Sequence, residues 1–126
     1  MIKRIILIDD DLDFTDACRN FLESAGYEVF VENSENNVLL KICQINPNLI
    51  ILDVVMDSKR SGFDIAEKIN SDDTLRNIPL IFLTGYFKKN DMLDQENEMK
   101  KKWLNVKEVL DKPIKPAVLL ETIKRI

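Results

Sequence analysis

Histidine is absent from all 126 residues of this chain. Ser/His and Cys/His nucleophilic catalysis are therefore excluded within it, as is any histidine-ligated metal. Cysteine is scarce: Cys18 and Cys43 stand alone with no CxxC spacing. Both fall in helix-like patterns, where buried reduced thiols are expected. Long hydrophobic runs are also missing. Ile5–Ile8 stops at Asp9, far short of a signal-peptide core, and nothing later approaches a membrane span. Positive charge is in deficit, with 18 Lys and Arg against 22 Asp and Glu and a net charge of −4. Such a chain has no basic footprint for direct contact with nucleic acid or an anionic membrane. A cytoplasmic location is the expectation.

What the chain does have is ordinary core material, 45% hydrophobic against 32% charged. At this length it suits one domain spanning residues 1–126. Strand and helix patterns alternate throughout. Ile5–Ile8 and Leu49–Leu52 are short unbroken apolar runs, as in strands buried on both faces of a parallel sheet. Leu80–Leu83, ending at Thr84, is a third, and Tyr27–Val31 and Val109-Leu110 complete the strands. Between them, Phe14, Ala17, Cys18, Phe21, Leu22 and Ala25 recur at helical spacing, followed by Gly26 at a C-cap position. Val38 to Ile45 gives a second helix closed by Asn46-Pro47. Phe63–Asn70 and the polar stretch Lys88–Lys102 give two more, and Pro116 suits the first turn of the last. Five strands alternating with five helices predict an α/β fold with a doubly wound parallel sheet, in the order 2-1-3-4-5.

Ligands of such sheets bind beyond the carboxyl ends of the strands, at the switch point between strands 1 and 3. The residues at those ends are Asp9-Asp10, Asp53, Thr84 and Lys112. Clustered carboxylates repel unless a cation offsets them. An all-oxygen donor set selects Mg²⁺, which retains waters and leaves positions for a phosphoryl donor. A carboxylate is also a competent nucleophile for phosphoryl transfer. Lys112 can neutralise the transferred charge, and the Thr84 hydroxyl can donate to a phosphoryl oxygen. Singly, each residue has a plainer reading: Asp11 or Asp13 as a helix cap, Thr84 satisfying backbone, Lys112 solvated. Chance does not readily place all five at the right strand ends.

The segments IILIDDDLDF, PNLIILDVVM, IPLIFLTG and VLDKPI resemble the receiver domain of two-component response regulators, over essentially the full length. The resemblance implies a flavodoxin-like (βα)5 sandwich and a Mg²⁺-dependent phosphoacceptor. Asp9 and Asp10 match the family's acidic pair, Asp53 its phosphoacceptor, Thr84 its switch hydroxyl and Lys112 its lysine. The backbone carbonyl of Val55 matches a further metal ligand, Gly85 a small residue beside the site, and Lys112-Pro113 a cis peptide bond. By the same resemblance, the donor is a phosphohistidine on a sensor histidine kinase or histidine phosphotransfer protein. The output is a changed surface of the fourth helix, fifth strand and fifth helix, read by a downstream protein or output domain. Autodephosphorylation is expected to be slow, because neither Val55 nor Tyr86 is a good water-positioning group. The domain could stand alone or be part of a larger protein.

The chain departs from the family pattern in four places. Asp57 stands where the family usually has proline, and the loop to Gly62 is one residue longer. The segment from Thr84 to Lys112 is about six residues longer, placed in the Lys88–Lys102 helix. Val109 occupies the position of the usual switch aromatic. In the lengthened helix, Met92, Met99 and Trp103 could serve a partner or homodimer surface, but core anchoring is the preferred reading. Two alternatives differ in class. Asp9-x-Asp11 fits the nucleophile motif of haloacid-dehalogenase-like phosphatases, with Asp13 against it. A pseudo-receiver would keep the fold and act without phosphate.

Overall fold

A computed structural model of the chain describes residues 2–54, 61–85 and 92–126. The elements in order are β1 (Arg4–Ile8), α1 (Leu12–Ser24), β2 (Glu28–Glu32), α2 (Val38–Ile45) and β3 (Leu49–Asp53). They continue as α3 (Ser61–Asn70), β4 (Leu80–Thr84), α4 (Met92–Lys102), β5 (Val106–Asp111) and α5 (Pro116–Lys124). All strand pairs are parallel, in the order β2-β1-β3-β4-β5. The doubly wound sheet expected from the sequence is the one observed.

Strand burial follows from position in the sheet. Every residue of β3 and β4 is buried, whereas the edge strands β2 and β5 keep partly exposed positions. Helices cover both faces, so central strands must be apolar on both sides. Alternation divides them between two cores. Ile6, Ile8, Ile50, Leu52, Leu80 and Phe82 pack with residues of α2, α3 and α4. Ile5, Leu7, Leu49, Ile51, Ile81 and Leu83 pack toward α1 and α5. Each fully buried Leu or Ile contributes about 1.5–3 kcal/mol relative to exposure.

Helix ends obey local chemistry. Asp11 caps α1, its side chain accepting from the Phe14 amide at 3.1 Å. Gly26 follows that helix with φ +99°, a left-handed value that costs a side-chain-bearing residue more. Asn46 closes α2 in the left-handed region, and Pro116 opens α5. Met99, and Trp103 just past its end, are buried and anchor α4 in the core, whereas the side chain of Met92, the third expected anchor, lies outside those described. Trp103 packs with Phe63 and Phe82 and donates its indole N–H to Glu67 at 2.9 Å.

Three differences from expectation are local. β5 begins at Val106, earlier than Val109, and skips a register step opposite Leu80/Ile81. Lys107 and Glu108 separate Val106 from Val109, which breaks the apolar run. α3 starts at Ser61 rather than Phe63. Cys43 is exposed, contrary to expectation, while Cys18 is buried; Cys43 follows the buried Ile42 and falls on the solvent side of α2. The first residues of the expected fourth helix, Lys88 to Asp91, lie outside the described residues, as do Val55, Asp57 and Tyr86.

Candidate functional site

Strand register brings the acidic residues together. Ile8 pairs with Leu52, so Asp9 and Asp53 are level at the ends of adjacent strands, roughly 5 Å apart in the hydrogen-bonding direction. Asp53 pairs with Leu83, and Thr84 with Asp111, which leaves Thr84 one step and Lys112 two steps further out. Asp9 and Asp53 continue the alternation of Ile5, Leu7 and Leu49, Ile51, whose side chains face α1 and α5. The site therefore opens beside the start of α1.

Asp9 is fully buried, Asp53 is 5% exposed, and Thr84 is fully buried. Carboxylate oxygens of Asp9, Asp10 and Asp53 lie within 4.8 Å of one another. Lys112 Nζ reaches Asp9 Oδ2 at 2.7 Å and Asp53 Oδ2 at 3.6 Å. The other Asp9 oxygen accepts the Asp11 amide at 3.0 Å. The Lys112 backbone amide donates to the Thr84 carbonyl at 2.8 Å, and the Lys112–Pro113 bond is cis. Its ammonium sits 4.9 Å from the centre of the Phe14 ring, so an α1 side chain supports the lysine from below. These contacts hold a cation against two nearly dry carboxylates.

The electrostatics follow from that packing. Burial disfavours the Lys112 charge, but the hydrogen bond to Asp9 and the charges of Asp9, Asp53 and Asp11 outweigh it and raise its pKa above 10.5. Lys112 is thus a permanent cation at neutral pH. Next to it, burial and then the Asp9 charge push the Cys18 thiol up to about 11. That thiol stays protonated and contributes no anion to the cleft.

Three carboxylates offering only oxygen, with a half-buried member in Asp10, make a donor set suited to a small hard cation such as Mg²⁺. The residues present fit that ion. Its expected fourth protein ligand, the Val55 carbonyl, lies outside the described residues. All five side chains singled out in the sequence meet at this end of the sheet.

Two further residues shape the site, and sequence reasoning did not assign them. Gly62 is buried against the acceptor strand: its amide donates to the Val54 carbonyl at 3.0 Å, and a Cβ there would overlap the Asp53 carbonyl oxygen. A lone glycine in a polar loop gave no such signal. Gly85, by contrast, is exposed, and a Cβ there would meet nothing. Asn33, after β2, donates to the Asp9 carbonyl at 2.9 Å. Val109, where an aromatic was noted as missing, is buried, and its amide donates to Glu96 of α4 at 3.4 Å.

Comparison with known proteins agrees with the fold and points to one family. A family model of the response regulator receiver domain matches residues 5–124. The chain is 27% identical over 124 residues to the polar-differentiation response regulator DivK of Brucella ovis, covering 98% of this chain and 95% of that protein. It is 29% identical to the transcriptional regulatory protein GltR of Pseudomonas aeruginosa, covering 97% of this chain and 48% of that one. Among solved structures, a CheY-like receiver domain protein of Methanospirillum hungatei superimposes with a TM-score of 0.78 at 28% identity, covering 99% and 93% of the two chains. The chemotaxis regulator CheY4 of Vibrio cholerae shares the fold, with a TM-score of 0.81 at 24% identity over 99% and 98% of the chains.

Proposed function

We propose, from the premise that this chain belongs to the response regulator receiver domain family, that Asp53 accepts a phosphoryl group and so switches a signalling surface. The observation behind the reading is the Lys112 ammonium, set 2.7 Å from Asp9 and 3.6 Å from Asp53 at the carboxyl ends of neighbouring strands.

In the proposed step, an Asp53 carboxylate oxygen attacks phosphorus, and an acyl phosphate bond forms. The bond from phosphorus to the donor's imidazole nitrogen breaks, and its electron pair leaves with the imidazole. Lys112, held protonated, offsets the charge brought by the phosphoryl oxygens. The Thr84 hydroxyl donates to one of them. Asp9, Asp10, Asp53 and the Val55 carbonyl would hold Mg²⁺, which supplies fixed positive charge to the transferring group. Because the Lys112 backbone is tied to the Thr84 carbonyl, a shift of Thr84 toward the phosphate pulls on the start of the β5–α5 connection. The changed surface is then that of α4, β5 and α5, without an aromatic rotamer at Val109.

The donor on this reading is a sensor histidine kinase or histidine phosphotransfer protein, and the listener is a downstream protein or output domain. The setting is cytoplasmic; among the described residues no helix is long and apolar enough to cross a membrane. The domain signals rather than turning over a substrate; beyond accepting the phosphoryl group, the chemistry expected of it is self-phosphorylation from small donors and slow autodephosphorylation.

Incubation with Mg²⁺ and acetyl phosphate, followed by intact mass, tests the proposal. One added phosphoryl group is expected, lost on chelation and in Asp53→Asn. Labelling that survives in Asp53→Asn but vanishes in Asp9→Asn would move the covalent site to Asp9, as in the phosphatase alternative. No labelling with a competent donor would favour the pseudo-receiver.

A further inference from the structure

We infer that Asn33 is a positioning residue for the metal-binding carboxylates, an inference that rests on the receiver reading above. Asn33 lies just beyond β2 and touches none of the three carboxylates through its recorded hydrogen bonds. Its amide nitrogen instead donates twice, to the Asp9 backbone carbonyl at 2.9 Å and to Thr15 Oγ1 at 3.1 Å. A carbonyl oxygen can only accept, so the amide must turn its nitrogen inward. Thr15 is fully buried, and its hydroxyl passes its own proton to the Leu12 carbonyl at 3.1 Å. One side chain thus ties the ends of β1 and β2 to the first turn of α1.

The carbonyl that Asn33 holds belongs to the peptide bond joining Asp9 to Asp10. A peptide unit is planar, so fixing its C=O direction also fixes the Asp10 N–H and the direction from which Asp10 leaves the strand. Asp9 is already restrained on other sides, by its amide to the Glu32 carbonyl at 3.0 Å and by Asp11 and Lys112 on its carboxylate. Asp10 lies two residues beyond the β1 ladder, and this peptide plane sets the direction of its N–H. A neutral amide does the task without adding charge to a cleft already rich in carboxylates. Outer partners that orient metal ligands typically alter affinity by about 10–100-fold when removed.

The test is calorimetric titration of the full chain with Mg²⁺ alone, beside thermal melting of the metal-free proteins. Asn33→Ala should bind Mg²⁺ about tenfold more weakly. Thr15→Val, which removes the second anchor of the amide, should bind more weakly by a smaller factor. Thr15→Ser, which keeps the hydroxyl, should bind as wild type does. Wild-type affinity in a folded Asn33→Ala protein overturns the inference, as does a loss explained wholly by a smaller folded fraction. Should Asn33→Ala fail to fold, unchanged affinity in Thr15→Val overturns it instead. These results differ from failure of the receiver reading, in which wild type itself would neither bind Mg²⁺ nor accept phosphate at Asp53.

Discussion

The two ends of the sheet both bury polar side chains, but they pair them differently. At the amino ends of β4 and β5, Asn105 is 4% exposed and fully engaged. Its oxygen accepts from Asn70 at 2.8 Å and its nitrogen donates to the Ile78 carbonyl at 3.0 Å. The exposed Asn48, ahead of β3, accepts the Lys3 and Arg4 amides at 3.0 and 2.8 Å. These are neutral groups closing loops. At the carboxyl ends, three carboxylates cluster, two of them paired with one ammonium. The first arrangement holds the chain in place, and the second leaves more negative than positive charge, as the proposed metal site requires. Neutral pairing and concentrated charge thus lie at opposite ends of the same strands.

The sharpest way to break that contrast is Lys112→Met. It leaves Asp9 charged, buried and without its cation, so a loss of about 3 kcal/mol in denaturant unfolding is expected. The sign of the pH dependence follows from the raised Lys112 pKa. Its contribution is complete below the ordinary lysine value of 10.5 and falls away as pH rises through the higher folded-state value. The stability lead of wild type over the variant should therefore shrink at strongly alkaline pH. Equal stability at neutral pH would show that the Lys112 ion pairs contribute nothing to the fold.

A smaller effect is expected from Asn105→Ala at the opposite end. It leaves the Ile78 carbonyl and the Asn70 amide each short of a partner, at about 2 kcal/mol. Its rate of labelling by acetyl phosphate should match wild type, read below the unfolding range. A parallel loss of labelling would show that the two ends are coupled.

The smallest effect is on thiol reactivity, and it compares the two cysteines. Iodoacetamide at mildly alkaline pH should add once, at exposed Cys43, because Cys18 is buried with a pKa of about 11. Rapid modification of Cys18 would mean that the floor of the site opens readily.

Much of this was legible in one sequence. The apolar runs at Ile5, Leu49 and Leu80 mark central strands because both faces of each are covered. The polar residues that stop them mark the site, because strand ends in a parallel sheet meet on one edge. β5 was harder to bound, since a partly exposed edge strand tolerates Lys107 and Glu108. Cys43 was misjudged because an amphipathic pattern of eight residues leaves the boundary of the buried stripe uncertain by one position. Asn33, Gly62 and Asn105 carried no local signal at all.

By itself, then, the sequence determined the order of elements, the doubly wound sheet and the identities of Asp9, Asp10, Asp53, Thr84 and Lys112. Hydrophobic periodicity and strand-end chemistry are local, and they survive in a linear string. Only the tertiary structure decided how Lys112 divides itself between Asp9 and Asp53, that Gly62 presses on the acceptor strand, and that Asn33 reaches across to the Asp9 carbonyl. The first and last depend on distances between segments remote in the chain and the second on how the loop after β3 folds back, all set by register and packing.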